Sequence, residues 1–254
     1  MVHRVMVSLG SIVADAFERG LVAQNVVRGR PQRTRRSDRR KPKLLVGTHI
    51  PTPNEIRNLI PHLQGRWRPL FLVAAFTGLR ASELFGLRWD DVDPKRGELH
   101  VRQRVDCYNN FGPPKSDAGS RTIPLLPMVV KALREHKVAS RPSALGLVFP
   151  SLTGKVIARS NLVKFVWQPL QTKAGIVTKA GKAKYPGLHA LRHFYASWCI
   201  NRRVDGGLEL PLKTVQARLG HASIKLTADT YGHLFPRGDD TAELAAAEKA
   251  FLGA

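Results

Sequence analysis

Cysteine is nearly absent. The 254 residues contain two, Cys107 and Cys199, far apart and in no paired-ligand spacing. That excludes a disulfide framework and a cysteine-clustered metal site, and leaves reduced thiols in a reducing compartment as the expectation. Long apolar runs are missing too: the stretch 70–76 is far too short to span a bilayer. No Gly-x-x-x-x-Gly-Lys-Ser/Thr loop occurs, so no ATP-driven motor is expected. Acidic side chains are scarce: 19 Asp+Glu stand against 41 Lys+Arg, a formal net charge of +22.

Such an excess favours a polyanionic partner, nucleic acid ahead of a membrane surface. Composition alone also admits a ribosome-associated or merely basic protein. Hydrophobic content of 43% supports an ordinary core. The early Arg4 and Ala14-Asp15-Ala16 superficially resemble a signal peptide. Ser8, Gly10 and Ser11 interrupt the apolar run, whereas Met6, Leu9, Val13, Phe17 and Leu21 follow helical steps. A cytoplasmic, nucleoid-associated protein without a membrane partner is therefore expected.

One amphipathic helix is expected from residue 1 to about 18, ending near Gly20. Residues 28–43 carry almost nothing apolar and read as a solvated tether able to lie along phosphates. Its candidate DNA contacts are Arg28, Arg30, Arg33, Arg35, Arg36, Arg39, Arg40, Lys41 and Lys43. Thr52-Pro53-Asn54-Glu55 fits a capping box opening a helix to about Leu63. Further helices are expected at 67–76, stopping at Gly78, and at 81–87. A small antiparallel sheet follows: 98–102, a strand approaching Lys115, the turn 117–119, and 121–125. Helices return at 127–139, 160–171, 190–201, 212–219, 224–231 and 241–252. The expected class is mostly α with a small antiparallel β-sheet, an α+β fold without internal repeats.

The chemistry concentrates late in the chain. His189 and Arg192 sit three apart and project from one helical face. Gly220 suits a left-handed helix stop beside His221, and Ser223 can cap the helix that ends at Tyr231. Earlier, Arg80 opens a helix beside Gly78, with Glu83 three residues on to orient the guanidinium. Alone, that is an ordinary surface ion pair. Lys115, near a hairpin tip, is by itself an exposed lysine, or else a proton donor to a leaving oxygen. His189 and His193 have a zinc-compatible spacing, but the general-base Glu is missing and Arg192 would oppose a metal, so none is expected. Together, Arg80, Lys115, His189, Arg192, His221 and Tyr231 supply every role in metal-free phosphoryl transfer. Guanidiniums neutralise non-bridging oxygens, a phenol attacks, an imidazole takes its proton and a lysine protonates the departing oxygen.

The motifs Thr-Gly-Leu-Arg80-x-Ser-Glu-Leu, Lys115 before Ser120-Arg121-Thr122, His189-x-x-Arg192-His193, Leu219-Gly220-His221 and Thr230-Tyr231-Gly-His233 resemble the catalytic domain of the tyrosine recombinase (phage integrase) family, over about residues 50–234. The resemblance implies the six residues above as the catalytic set, Glu83 in support and Arg121 on DNA. It further implies a site-specific recombinase or integrase that clamps double-stranded DNA and cleaves it through a 3′-phosphotyrosine. No metal, ATP or other cofactor is needed. Strand exchange within a tetramer and accessory DNA-bending proteins are implied as well. Two rivals are a catalytically idle DNA-binding remnant of a mobile element and a nicking topoisomerase. The expected organisation is a remnant of a core-binding domain at 1–27, a basic linker at 28–49, a catalytic domain at 50–236 and a C-terminal helix at 237–254. With most of the core-binding domain missing, weak and salt-sensitive DNA binding is expected.

Overall fold

A computed structural model describes residues 2–27, 43–140, 142–236 and 240–253. The chain divides into two compact units, Met1–Pro42 and Lys43–Ala254. Of the expected tether contacts, Arg28, Arg30, Arg33, Arg35, Arg36, Arg39, Arg40 and Lys41 lie outside the described residues. Among the described residues, no helix is long and apolar enough to cross a membrane.

In the first unit, α1 (Val2–Glu18) is the expected helix, and Gly20 follows it with a positive φ of 71°. The chain then turns back on the helix: Asn25 Nδ2 donates to Gly10 O at 2.9 Å. Leu9 and Phe17 of the apolar stripe are exposed.

The second unit begins at Lys43. The Leu45 carbonyl accepts N–H groups from Thr48, His49 and Ile50, and Ile50 is fully buried. These turn bonds recruit residues 43–49 into the body; Lys43 itself is exposed. Helix α2 (Pro53–Leu59) opens with the expected capping box, Glu55 N donating to Thr52 Oγ1 and Thr52 N to Glu55 Oε2. It tightens into a 3₁₀ turn at Ile60–His62, because Pro61 has no N–H to continue the ladder.

Helix α3 (Trp67–Thr77) is the centre of the core, with Leu70 to Thr77 buried on all sides. Gly78 ends it with φ +63°; a Cβ there would stand 2.4 Å from Tyr195 Cδ1. The short α4 (Ala81–Phe85) starts at once. Strands β1 (Val92–Asp93), β2 (Glu98–Val101), β3 (Arg104–Val105), β4 (Phe111–Gly112) and β5 (Arg121–Pro124) follow. They form two sheets rather than one: an antiparallel β1-β2-β5 sheet and a β3-β4 ribbon. In the first, Leu99 pairs with Ile123, and both side chains are fully buried. The ribbon separates where Gln103 Nε2 donates to Gly86 O and draws the chain off the sheet.

Helix α5 (Pro127–Ala139) keeps its expected bounds. The helix expected at 160–171 is divided into α6 (Arg159–Leu162), a π-helical turn at Val163–Trp167 and α7 (Gln168–Lys173). Pro169 cannot donate to the carbonyl one turn back, and the wider turn accommodates the loss. Helix α8 (His189–Ile200) packs on α3, with Phe76 edge-on to Phe194 and Trp198. The short α9 (Leu212–Leu219) and α10 (Ile224–Tyr231) follow, with Ser223 Oγ capping α10 through Leu226 N. In α11 (Asp240–Leu252), Leu244, Phe251 and Leu252 are all exposed.

Candidate active site

The site is built on the end of α9. Gly220 takes φ +63°, which an L-residue with a side chain adopts only under strain, and the last carbonyls of α9 are left pointing outward. Three consecutive carbonyls each receive a different arginine. Arg121 Nε donates to Arg218 O at 2.8 Å, Arg192 Nη2 to Leu219 O at 2.7 Å, and Arg80 Nη2 to Gly220 O at 3.0 Å. The negative end of a helix dipole favours cations at this position. Gly220 must be glycine on a second ground, since a Cβ would meet Arg121 Nη1 at 2.7 Å and Ala118 O at 2.9 Å.

Glu83, nearly buried, holds two of these arginines. Its carboxylate accepts from Arg80 Nη1 and Arg121 Nη2, both at 2.8 Å, and from Arg80 N at 2.9 Å. Burial alone would raise its carboxyl; the bonds and charges of Arg121 and Arg80 outweigh it and hold the group below the usual carboxylate range. Arg192 has no carboxylate partner among the described residues. It is 2% exposed, and its Nη1 donates to Gly78 O, at the end of α3. Burial, with Arg80 nearby, brings it down to about 10, so it remains cationic at neutral pH. Three arginines against one carboxylate leave the cluster positive.

Tyr231 closes the site from the end of α10 and is 1% exposed. Its Oη lies 2.7 Å from His193 Nδ1. Burial pushes the phenol up to about 12, against the opposing pull of Arg192 and Arg80. His221 lies parallel to the Tyr231 ring, 6.3 Å between centroids, and its Nδ1 is 2.9 Å from Thr227 Oγ1. His189, at the start of α8, is edge-on to His193 at 4.5 Å. All three imidazoles are held below their ordinary pKa by burial and then by the surrounding cations, His221 to about 4 and His193 to about 3. They are neutral at pH 7.

Arg80, Glu83, Arg192, His221 and Tyr231 thus come together, with His189 at the edge through His193. Lys115 is exposed on the loop after β4, with no hydrogen-bond or ion-pair partner among the described residues. That loop is nonetheless fixed on either side: Pro114 packs so closely on Gly119 that a Cβ there would be 2.4 Å from it, and Ala118 reaches Gly220. Arg121, expected on DNA, is turned inward; its side chain is 6% exposed and its N–H groups go to Glu83, Gly119 O and Arg218 O. The pull of Glu83 and of the α9 carbonyls accounts for the inward turn. Two residues without an assigned role from sequence also belong to the site. His193 follows His189 by one helical turn, a signal present in the spacing. Thr227 meets His221 only because α9 and α10 pack together, which no spacing reveals.

Residues 51–237 match the Phage integrase family, and the chain belongs to that family. The XerC-like tyrosine recombinase of Caldanaerobacter subterraneus subsp. tengcongensis is 33% identical over 223 residues, covering 77% of this chain and 54% of that protein. Prophage integrase IntR of Escherichia coli is 25% identical over 241 residues, covering 88% and 55% respectively. The chain therefore spans about half the length of these relatives. The solved structure of the Tn1549 transposon integrase in complex with circular intermediate DNA superposes with a TM-score of 0.62 at 19% identity, over 79% of this chain and 66% of that one. The fold is mostly helical with small antiparallel sheets, that of tyrosine recombinase catalytic domains.

Proposed function

We propose that this chain is the catalytic part of a site-specific recombinase or integrase that cuts and rejoins double-stranded DNA through a 3′-phosphotyrosine. The observation that carries the reading is the pair of guanidiniums, Arg80 and Arg192, tied to adjacent carbonyls beside the buried phenol of Tyr231. Preorganised donors of this kind stabilise the charge that grows on non-bridging phosphate oxygens, at no reorganisation cost during the reaction. Tyr231 Oη attacks phosphorus and the 5′ oxygen departs. Lys115, exposed and unpaired on a braced loop, protonates that oxygen. His221 is oriented through Nδ1 by Thr227, which leaves Nε2 for a phosphate oxygen; His189 flanks the same pocket. The phosphodiester energy is kept in the phosphotyrosine, so rejoining needs no ATP.

The net charge of +22 supports DNA as partner, as does the DNA bound by the Tn1549 integrase of the same fold. The basic residues of 28–43 add phosphate contacts, whereas Arg121 acts inside the site. Self-association on DNA, with α11 offering Leu244, Phe251 and Leu252, and accessory DNA-bending proteins complete the reading. The reading is tested with suicide duplexes drawn from DNA flanking the coding sequence, in which the cut strand's short end diffuses away. A covalent protein–DNA product that survives denaturation is expected. Binding without such a product would instead leave an idle DNA-binding remnant.

A further inference from the structure

We infer that His193 is the base that takes the proton of Tyr231 as the phenol attacks phosphorus. The inference rests on the phosphotyrosine reading above and assigns a step which that reading leaves open.

Three imidazoles stand near the phenol, and the geometry separates them. His221 is parallel to the Tyr231 ring at 6.3 Å, with its Nδ1 occupied by Thr227. His189 touches the edge of His193. Among the described residues, only His193 sets a ring nitrogen against Tyr231 Oη, at 2.7 Å, within reach for direct proton transfer. The same contact brings the two rings together at 5.8 Å between centroids.

The surroundings decide which partner holds the proton at rest. The groups facing His193 are His189 and Arg192 from its own helix, His221 from the α9–α10 turn and His49 from the turn ahead of α2. Burial is the largest influence lowering its basicity, and the electrostatic effect of these groups adds to it. The imidazole is therefore neutral at pH 7, as is the buried phenol. With both neutral, the Tyr231 O–H donates to Nδ1 and the ring proton sits on Nε2. The nucleophile is thus already bonded to an acceptor.

A lone pair of Tyr231 Oη forms the new bond to phosphorus, and the bond from phosphorus to the 5′ oxygen breaks with its electron pair on that oxygen. The phenolic proton passes to His193 Nδ1, and the leaving oxygen takes a proton from Lys115. Rejoining runs the same transfers backwards. An imidazolium beside Arg192 is costly until a phosphate enters, so the negative charge of bound DNA is what makes His193 basic enough to act.

The test uses the full chain and a probe that needs no recognition site, thymidine 3′-(4-nitrophenyl phosphate). Its nitrophenolate leaves without protonation, which isolates activation of the nucleophile from the role of Lys115. Nitrophenolate release and phosphothymidine on Tyr231, found by peptide mass, are followed against pH. The wild type should be nearly flat between about pH 6 and 9. His193→Asn keeps an amide near the Nδ1 position but cannot take a proton. At pH 7 it should lose about 10²-fold or more. It should then regain about tenfold per pH unit as hydroxide forms the phenolate. Thermal melting checks that the variant is folded, and His193→Ala with imidazole added to the buffer gives a second route, in which the rate should recover. A folded Asn variant with the wild-type rate and a flat profile, or an Ala variant that imidazole does not restore, would show that His193 merely holds Tyr231. Absence of a Tyr231 adduct in the wild type would overturn the phosphotyrosine reading itself, and this assignment with it.

Discussion

Arg80 and Arg192 donate to neighbouring carbonyls, those of Gly220 and Leu219, although they belong to different helices, the start of α4 and the first turn of α8. The end of one short helix therefore sets the spacing of two guanidiniums.

Replacing either arginine by lysine keeps the charge and removes the planar fork. Arg80→Lys and Arg192→Lys should each slow covalent cleavage by about 10²–10³ while changing DNA affinity much less. The two should differ in stability. Arg192 is buried and serves Gly78 O and Leu219 O, so its loss leaves inner carbonyls unpaired and should cost about 1–3 kcal/mol. Arg80→Lys should melt closer to the wild type. Cleavage rates and denaturant melts on the same preparations check both.

Gly78→Ala should destabilise the fold by about 1–3 kcal/mol, because the new methyl would meet the Tyr195 ring and the residue would keep φ +63°. Gly220→Ala, at φ +63°, would displace Arg121 and the loop carrying Ala118. The first variant should lower the melting temperature. The second should additionally cut activity through the loop that holds Lys115.

Stability should depend on pH through two sets of groups. The carboxyl of Glu83 is lowered in the fold, so its contribution is full above the ordinary carboxylate range and is lost as pH falls through its folded value. Glu83→Gln should therefore flatten the acid limb of the stability curve. His193 and His221 are depressed to about 3 and about 4. Between those values and the unfolded 6.5 the unfolded chain binds more protons, so stability should already fall as pH drops from about 6.5 towards 4. Equilibrium unfolding of wild type, Glu83→Gln and His221→Asn across that range resolves the two limbs.

If Lys115 protonates the leaving oxygen, Lys115→Ala should be strongly impaired on an ordinary duplex. It should be restored when the bridging 5′ oxygen is sulfur, since a thiolate leaves unprotonated. Equal impairment on both substrates would make Lys115 a DNA-binding residue.

Much of this was legible in the sequence because local rules govern it. The Thr52 capping box, the stops at Gly78 and Gly220 and the Ser223 cap are short-range patterns, and they delimit the helices that carry the site. The small antiparallel sheet was legible, but not every pairing in it, because pairing is non-local: the strand before Lys115, expected to lead through the turn 117–119 into 121–125, pairs with Arg104–Val105 instead. Pro169 divided a helix whose apolar spacing looks continuous. Arg121 was expected on DNA, since nothing in its neighbourhood announces a buried carboxylate contributed by Glu83, 38 residues away. The partnership of His193 with Tyr231 spans another 38 residues and depends on how α8 meets α10.

If Tyr231 is the nucleophile, the covalent bond to DNA must lie on its phenolic oxygen, where it can be located. After reaction with a suicide duplex, denaturation and digestion with protease and nuclease, the peptide containing Tyr231 is examined by mass spectrometry. A 3′-phosphonucleotide is expected on Tyr231 in the wild type and none in Tyr231→Phe, whose DNA binding should be nearly unchanged. A nucleotide attached to another residue, or an undiminished adduct in Tyr231→Phe, would contradict Tyr231 as the nucleophile.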